Sequence, residues 1–208
     1  MKDEREKMIR DQIEARGVTN PVVLEAIRAV DRSLFVPEDR KSQAWQDSPL
    51  PIGKGQTISQ PYIVAYMADE LQIGKEDKVL EIGTGCGYNA AVLAQMAKEV
   101  YSVEIIEWLA ELAKENLAKT EIDNIHIRYD DGYKGWPEEA PFDAIMLTAA
   151  PPAVPETLKH QLKIGGRLLT PVGRIQQKLI LITRTAEDKF EEETLLPVRF
   201  VRMTGKSD

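Results

Sequence analysis

Val79-Leu80-Glu81-Ile82-Gly83-Thr84-Gly85-Cys86-Gly87-Tyr88 is the stretch whose reading decides the fold. A short aliphatic run ends in three alternating glycines, and an alanine-rich segment over residues 88–97 follows. Strand, glycine turn and helix are how an open α/β sheet brings backbone close to a nucleotide-like ligand at a topological switch point. The spacing is Gly-x-Gly-x-Gly, and Tyr88 stands where the dinucleotide fingerprint Gly-x-Gly-x-x-Gly has its last glycine. A nicotinamide cofactor is disfavoured by that tyrosine, while the turn alone would also suit any tight strand-to-helix connection.

Outward from this loop the pattern repeats. Residues 99–103 read as a strand, 105–118 as a helix, and 125–129 and 143–147 as further strands. A short helix over 155–162 then precedes a strand over 167–170. Alternation of this kind is the signature of a parallel, doubly wound α/β sheet. The β-rich runs 178–184 and 192–201 have no helix between them, so the sheet is expected to end in an antiparallel hairpin. Glu104 closes the second strand, where a carboxylate can accept both hydroxyls of a ribose. Asp131-Gly132 follows the third strand, where a carboxylate and a tight turn could border an adenine. Together these positions describe an adenosine cradle with no phosphate requirement.

Upstream, residues 3–16 have helical spacing and stop at Gly17. Asn20-Pro21 supplies a cap and first-turn proline for a helix burying Val23, Ile27 and Val30. The pair suggests a lid or buttress. Periodicity disappears over residues 31–60, where Pro37, Pro49, Pro51, Gly53 and Gly55 punctuate a stretch too long for an ordinary connector. Trp45, Leu50 and Ile52 favour an ordered loop packed on the body. One domain is expected over 1–208: N-terminal helices and loop to 60, a ligand-binding core over 61–175, and terminal strands over 176–208.

The chain has 208 residues, with 27 Lys and Arg against 34 Asp and Glu, a formal net charge of −7. With 43% hydrophobic residues it can bury a core of its own. The acidic balance argues against nucleic acid or an anionic membrane as partner. A single cysteine, Cys86, cannot form an intrachain disulfide, and His126 and His160 complete no metal-ligand spacing. The charged start, Met1-Lys2-Asp3-Glu4-Arg5-Glu6-Lys7, is no signal-peptide core, and no apolar run approaches a membrane span. A metal-free, cytoplasmic monomer is expected.

The loop Glu81-Ile-Gly-Thr-Gly-Cys-Gly-Tyr88 resembles the cofactor motif of class I S-adenosylmethionine-dependent methyltransferases. The segment Pro51-Ile-Gly-Lys-Gly-Gln-Thr-Ile-Ser-Gln-Pro-Tyr62 is more specific, being similar to the hallmark of protein-L-isoaspartate O-methyltransferases. The resemblance continues through Phe142-Asp-Ala-Ile145, Thr148-Ala-Ala-Pro151, Gly165-Gly-Arg-Leu168, Pro171-Val-Gly173 and Val198-Arg-Phe-Val201. It implies a Rossmann-like fold and methyl transfer from S-adenosyl-L-methionine to the stray carboxylate of isoaspartyl residues in damaged proteins, which starts their repair through a succinimide. It also implies Glu81, Gly83, Thr84, Gly85 and Gly87 at the methionine side of the cofactor, Glu104 at its ribose and Asp131 and Gly132 at its adenine. Gln56, Thr57, Ile58 and Ser59 become the isoaspartyl-binding segment, with Ser59 in the active-site position. Cys86 departs from the family's usual serine, and Asn89 from its frequent glutamine.

The chemistry suits the composition. An isoaspartyl carboxylate has a pKa near ~3.9 and is ionised at neutral pH, so its methylation needs no enzyme base. Pro61 suits a first helical position, which puts Ser59 and Gln60 at a helix N-terminus. Free amides there favour an anion, and the substrate carboxylate is expected at that point. Thr57 and Ser59 could equally cap the helix. Elsewhere, Trp108 is expected to pack its helix and Trp136 to anchor a loop or border the cofactor. His126, His160 and Glu191 to Glu193 read as structural or solvated, and Arg199 and Arg202 as a hairpin edge or a contact to the peptide backbone. A methyltransferase acting on a small molecule or RNA, and a non-catalytic cofactor-binding module, are the rival readings.

Overall fold

The computed structural model describes residues 2–205. Nine strands are present among those residues, seven of them in one sheet. They are β1 (Leu50–Gly53), β2 (Gln56–Ile58), β3 (Lys78–Ile82), β4 (Glu99–Glu104), β5 (Ile125–Tyr129), β6 (Phe142–Leu147), β7 (Leu162–Val172), β8 (Gln177–Ala186) and β9 (Lys189–Val198). The large sheet runs β5-β4-β3-β6-β7-β8-β9, parallel from β5 to β7 and antiparallel from β7 through β9. The doubly wound reading and the terminal antiparallel hairpin are therefore both found.

Strand order reverses at β3. The chain moves outward through β4 and β5, then returns to place β6 on the other side of β3. A crevice opens beyond the carboxyl ends of β3 and β6, where open α/β sheets take ligands. β3 is the middle of the fold and is buried on both faces, as a covered parallel strand must be. Val79 joins a core with the helices α2 (Pro21–Ala29), α3 (Pro61–Leu71) and α4 (Tyr88–Ala94), whereas Leu80 and Ile82 join a second core with Leu158, Leu168 and Met203. Glu81 shares the Val79 face by the strand's two-residue alternation and is fully buried there.

The first helical segment is less regular than its spacing suggests. It runs as α1 (Lys2–Met8), a π-helical turn Ile9–Ile13 and a 3₁₀ turn Glu14–Arg16, closing at Gly17 with φ 97°. Asn20 caps α2 as expected, its side chain accepting from the Val22 amide at 3.1 Å. Residues 31–60 contain more structure than their sequence suggested. Two 3₁₀ helices, Arg32–Phe35 and Glu38–Gln43, are followed by the β1-β2 hairpin. Its turn places Lys54 at φ 52° and Gly55 at φ 73°, two successive left-handed positions of the kind that match hairpin twist. Lysine at the first of them, and Pro51 within a strand, hid the hairpin.

Trp108 corrects one expectation. It stands at the start of α5 (Glu107–Leu117) but is 49% exposed rather than packed within its helix layer. Its ring lies under the hairpin: a Cβ on Gly53 would sit 3.0 Å from it, and Lys54 Nζ is 5.7 Å from the ring centroid. Trp136 packs edge-on against Tyr101, and Arg128 stacks on it at 4.2 Å. The remaining helix, α6 (Glu156–His160), precedes β7.

Candidate active site

The glycine turn between β3 and α4 is held by its own backbone. Gly83, Gly85 and Gly87 all have positive φ, at 100°, 57° and 90°. Side chains rarely adopt that region, and at Gly83 there is also no space, since a Cβ would lie 2.3 Å from Thr148 Oγ1. Thr148 follows β6, and its hydroxyl donates to the Gly83 carbonyl at 2.6 Å, stitching the two strand ends together. The Gly87 amide donates back to the Thr84 carbonyl at 2.9 Å. Gly87 itself packs against α5, where a Cβ would meet Ala113 at 3.3 Å.

Glu104 ends β4 beside this turn. One carboxylate oxygen accepts from the Gly85 amide at 2.8 Å and the other from the Ile106 amide at 2.9 Å. A carboxylate offers about four acceptor positions, so roughly two remain for a ligand's hydroxyls. Gly83, Thr84, Gly85 and Glu104 line one cavity together with Gln56, Thr57, Ile58 and Ser59. Tyr88 and Asn89 also line it.

Glu81, Gly87, Asp131 and Gly132 are not part of that lining. Glu81 lies beneath the turn, where Ser102 Oγ donates to one of its oxygens and Asn89 Nδ2 to the other, the latter at 2.7 Å. With the Ser102 proton so used, the 2.6 Å contact to Thr84 Oγ1 is donated by the threonine. Glu81 thus anchors two cavity-lining residues, Thr84 by way of Ser102 and Asn89 by a bond of its own. Burial pushes its pKa up to about 7 against the opposing pull of those two donors. Asp131 caps the 3₁₀ turn Gly132–Lys134, accepting from the Tyr133 amide at 3.0 Å, and Gly132 fits against Ile82.

A second cleft of about 710 Å³ adjoins the first, lined by Arg16, Tyr62, Ile63 and residues 196–201 among others. Thr57, Ser59, Thr148 and Val201 line both. The two spaces meet across this four-residue wall, one beside the glycine turn and the other beside Arg16, Tyr62 and residues 196–201.

The helix N-terminus after Ser59 differs from expectation. Pro61 opens α3 and Gln60 is its N-cap residue, but no side chain of Thr57 or Ser59 caps it. Asp47 fills that place: its carboxylate accepts from the Tyr62 amide at 3.0 Å and from Gln60 Nε2 at 2.7 Å, and it pairs with Arg16 at 2.8 Å. The Ile63 and Val64 amides bond to the Gln60 carbonyl, and Pro61 has no amide hydrogen. Every amide of the first turn is therefore committed, and a carboxylate already occupies the positive end of the helix dipole. The expected anion site on this terminus is withdrawn. Asp47 gave no sequence signal, because a cap fourteen residues before its helix has no characteristic spacing.

Arg32 was also missed. It is fully buried and donates to the carbonyls of Ala44, Ser48 (3.1 Å) and Ser59 (3.0 Å). Asn89, doubted on its departure from glutamine, makes the bond to Glu81 described above.

Of the titratable groups at the first cavity, Glu104 is engaged by two backbone amides and Cys86 is buried. Burial pushes the Cys86 thiol up to about 11, which keeps it protonated. His126 lies on β5, bonded to Glu99 at 2.7 Å and stacked on Tyr101, and His160 lies against Phe190. Among the described residues no group of three or more His, Cys, Asp or Glu is placed to hold a metal ion. None of their helices is long and apolar enough to cross a membrane.

Comparison with known proteins agrees with this geometry. A family model described as protein-L-isoaspartate(D-aspartate) O-methyltransferase matches residues 3–208. The chain is 49% identical to a protein-L-isoaspartate O-methyltransferase of Picosynechococcus sp. over 98% of this chain and 91% of that one. It is 52% identical to the protein of that name from Opitutus terrae, over 97% and 87% of the two chains. Among solved structures, a protein-L-isoaspartate O-methyltransferase superposes with a TM-score of 0.89 at 31% identity, covering 97% of this chain. The chain spans 66% of that longer protein. A Plasmodium falciparum protein described as a protein-L-isoaspartate O-methyltransferase, solved with S-adenosyl-L-homocysteine, gives a TM-score of 0.86 at 25% identity, covering 96% and 98%.

Proposed function

Because the chain belongs to the protein-L-isoaspartate(D-aspartate) O-methyltransferase family, whose members methylate isoaspartyl residues of damaged proteins with S-adenosyl-L-methionine, we propose that transfer takes place across the wall of Thr57, Ser59, Thr148 and Val201. The observation that carries this reading is the sharing of that wall by two clefts, one beside the glycine turn and one beside Arg16, Tyr62 and residues 196–201.

The first cleft fits the cofactor. The bare backbone of Gly83 and Gly85, with Thr84 between them, suits the methionine side. Glu104 suits the ribose, since two acceptor positions stay free beside the two amides it already holds. Glu81 and Gly87 support the turn from beneath, and Asp131 and Gly132 are proposed to border the adenine. When bound, S-adenosyl-L-methionine supplies a methyl group on positively charged sulfur and leaves as S-adenosyl-L-homocysteine.

At the shared wall, Thr57 and Ser59 hold the isoaspartyl residue, with Gln56 and Ile58 beside them on the side of the first cleft, and the Ser59 hydroxyl donates to its carboxylate. That carboxylate is ionised at neutral pH, so no protein group takes a proton. Orientation does most of the work: well-aligned reactants can lower a barrier by roughly 7–11 kcal/mol, against about 1 kcal/mol for one neutral hydrogen bond. Exclusion of water helps further, because opposite charges cancel on the way to a neutral ester. The following backbone nitrogen of the substrate then expels methanol to form a succinimide, which hydrolyses in part to normal aspartate without an enzyme group.

The division into 1–60, 61–175 and 176–208 stands as one catalytic unit in this proposal. A monomer acting in a reducing cytoplasm, without nucleic-acid or membrane partners, is proposed with it, supported by the single cysteine and the net charge of −7. Labelled methyl transfer to two peptides differing only in an aspartyl or isoaspartyl linkage tests the activity. Base-labile label on the isoaspartyl peptide alone is expected. Equal labelling of both, or of neither with cofactor binding intact, would overturn the reading.

A further inference from the structure

We propose that Arg32 is a positioning residue for methyl transfer, holding Ser59 in place through a clamp on three backbone carbonyls. The role rests on the functional reading above. Arg32 lies in the 3₁₀ helix that begins the long segment before α3, and its guanidinium reaches residues 12, 16 and 27 positions further on. One nitrogen takes the Ala44 carbonyl, and the other takes Ser48 at 3.1 Å and Ser59 at 3.0 Å. The start, middle and end of the segment are thereby tied to one planar group.

The chemistry of the group singles it out. A fully buried guanidinium ordinarily has a carboxylate partner, yet among the described residues none lies within 4.0 Å of this one. Taking such a charge out of water is unfavourable and has to be offset by hydrogen bonds of good geometry. Here the offset is three carbonyls that neither helix nor sheet engages, so the fork supplies the donors this segment lacks. Binding the Ser59 carbonyl fixes the peptide plane between Ser59 and Gln60, while Asp47 holds Gln60 and the Tyr62 amide on the far side. Ser59 is fixed from both directions. The guanidinium carbon also lies 5.8 Å from the ring centroid of Tyr88, whose side chain lines the cofactor cleft.

Lysine keeps the charge but cannot span carbonyls in a fork, which makes Arg32→Lys the informative variant, with Arg32→Met beside it. Isoaspartyl-peptide kinetics, calorimetric affinity for S-adenosyl-L-homocysteine and amide hydrogen exchange are measured on each. For Arg32→Lys, kcat/KM is expected to fall roughly tenfold or more while the affinity stays within about twofold, since displacing a positioned group acts on turnover. Exchange over residues 44–60 is expected to rise with β3 and β6 unchanged. Arg32→Met should lose more turnover than Arg32→Lys. Ile27→Ala serves as the control for simple loss of stability, being a fully buried residue of α2 that lines neither cleft. Equal loss of cofactor affinity and turnover, unchanged turnover, the same kinetic loss in Ile27→Ala, or failure of both Arg32 variants to fold would each overturn the proposal. A parent protein that labels no isoaspartyl peptide would instead overturn the functional reading.

Discussion

The glycine turn over residues 83–87 and the segment over 56–59, proposed to bind the substrate, line one cavity, but different parts of the chain hold them. The turn's conformation is written in its own residues: three glycines in left-handed geometry, a strand before them and a helix after. The segment opposite is a three-residue strand and a connector, bonded to Arg32, Asp47 and the β1 partner strand. A local structure fails when its own residues change, whereas a segment held from elsewhere can fail through residues far away in sequence. The contrast also separates cofactor affinity from turnover.

The largest effect is expected at the turn. Gly83→Ala forces a side chain into left-handed backbone and against Thr148, so affinity for S-adenosyl-L-homocysteine should drop roughly 100-fold or more by calorimetry. Binding at parental affinity would show that the turn adapts and that the contrast is false. Glu104→Ala removes a ligand acceptor and strands two backbone amides, and a roughly 50-fold weaker Kd is expected, since hydrogen bonds to a charged group contribute about 1.5–3 kcal/mol each. Its kcat at saturating methyl donor should change far less.

On the opposite wall, Ser59→Ala should lower kcat/KM for the isoaspartyl peptide about tenfold with cofactor Kd unchanged, the size of one hydrogen bond to a carboxylate. Parallel loss of cofactor binding would place Ser59 with the turn instead. The smallest effect concerns Glu81. Its pKa is raised in the folded state, to about 7 from 4.5, so its favourable contribution is complete below pH 4.5 and is lost as pH rises through 7. The parent's melting temperature should fall relative to that of Glu81→Gln between pH 5.5 and 7.5, by a difference of order 1 kcal/mol or a few degrees. A pH-independent difference would show Glu81 ionised throughout.

The sheet and its switch point were legible because their evidence is local. The short aliphatic run of β3, the glycines at its end and Glu104 at the end of β4 each speak through neighbours in sequence. The β1-β2 hairpin was not legible, since Lys54 adopts a turn conformation more often given to asparagine or glycine. The anion site expected at α3 failed for a related reason. A proline at N1 announces the helix end but says nothing about Asp47, which fills that end from a distant loop. Trp108 was misread because helical spacing locates a face and not its occupant, here the hairpin.

By itself, then, the sequence determined the α/β order of elements, the glycine turn and the acidic strand ends, and its motifs pointed to the family. These follow from backbone sterics and from the two periodicities of side-chain burial, which act over a few residues. Only the tertiary structure decided how the segment over residues 56–59 is held. Its carbonyls and helix amides need partners that secondary structure does not provide, and a buried arginine or a distant aspartate can meet that need from anywhere in the chain.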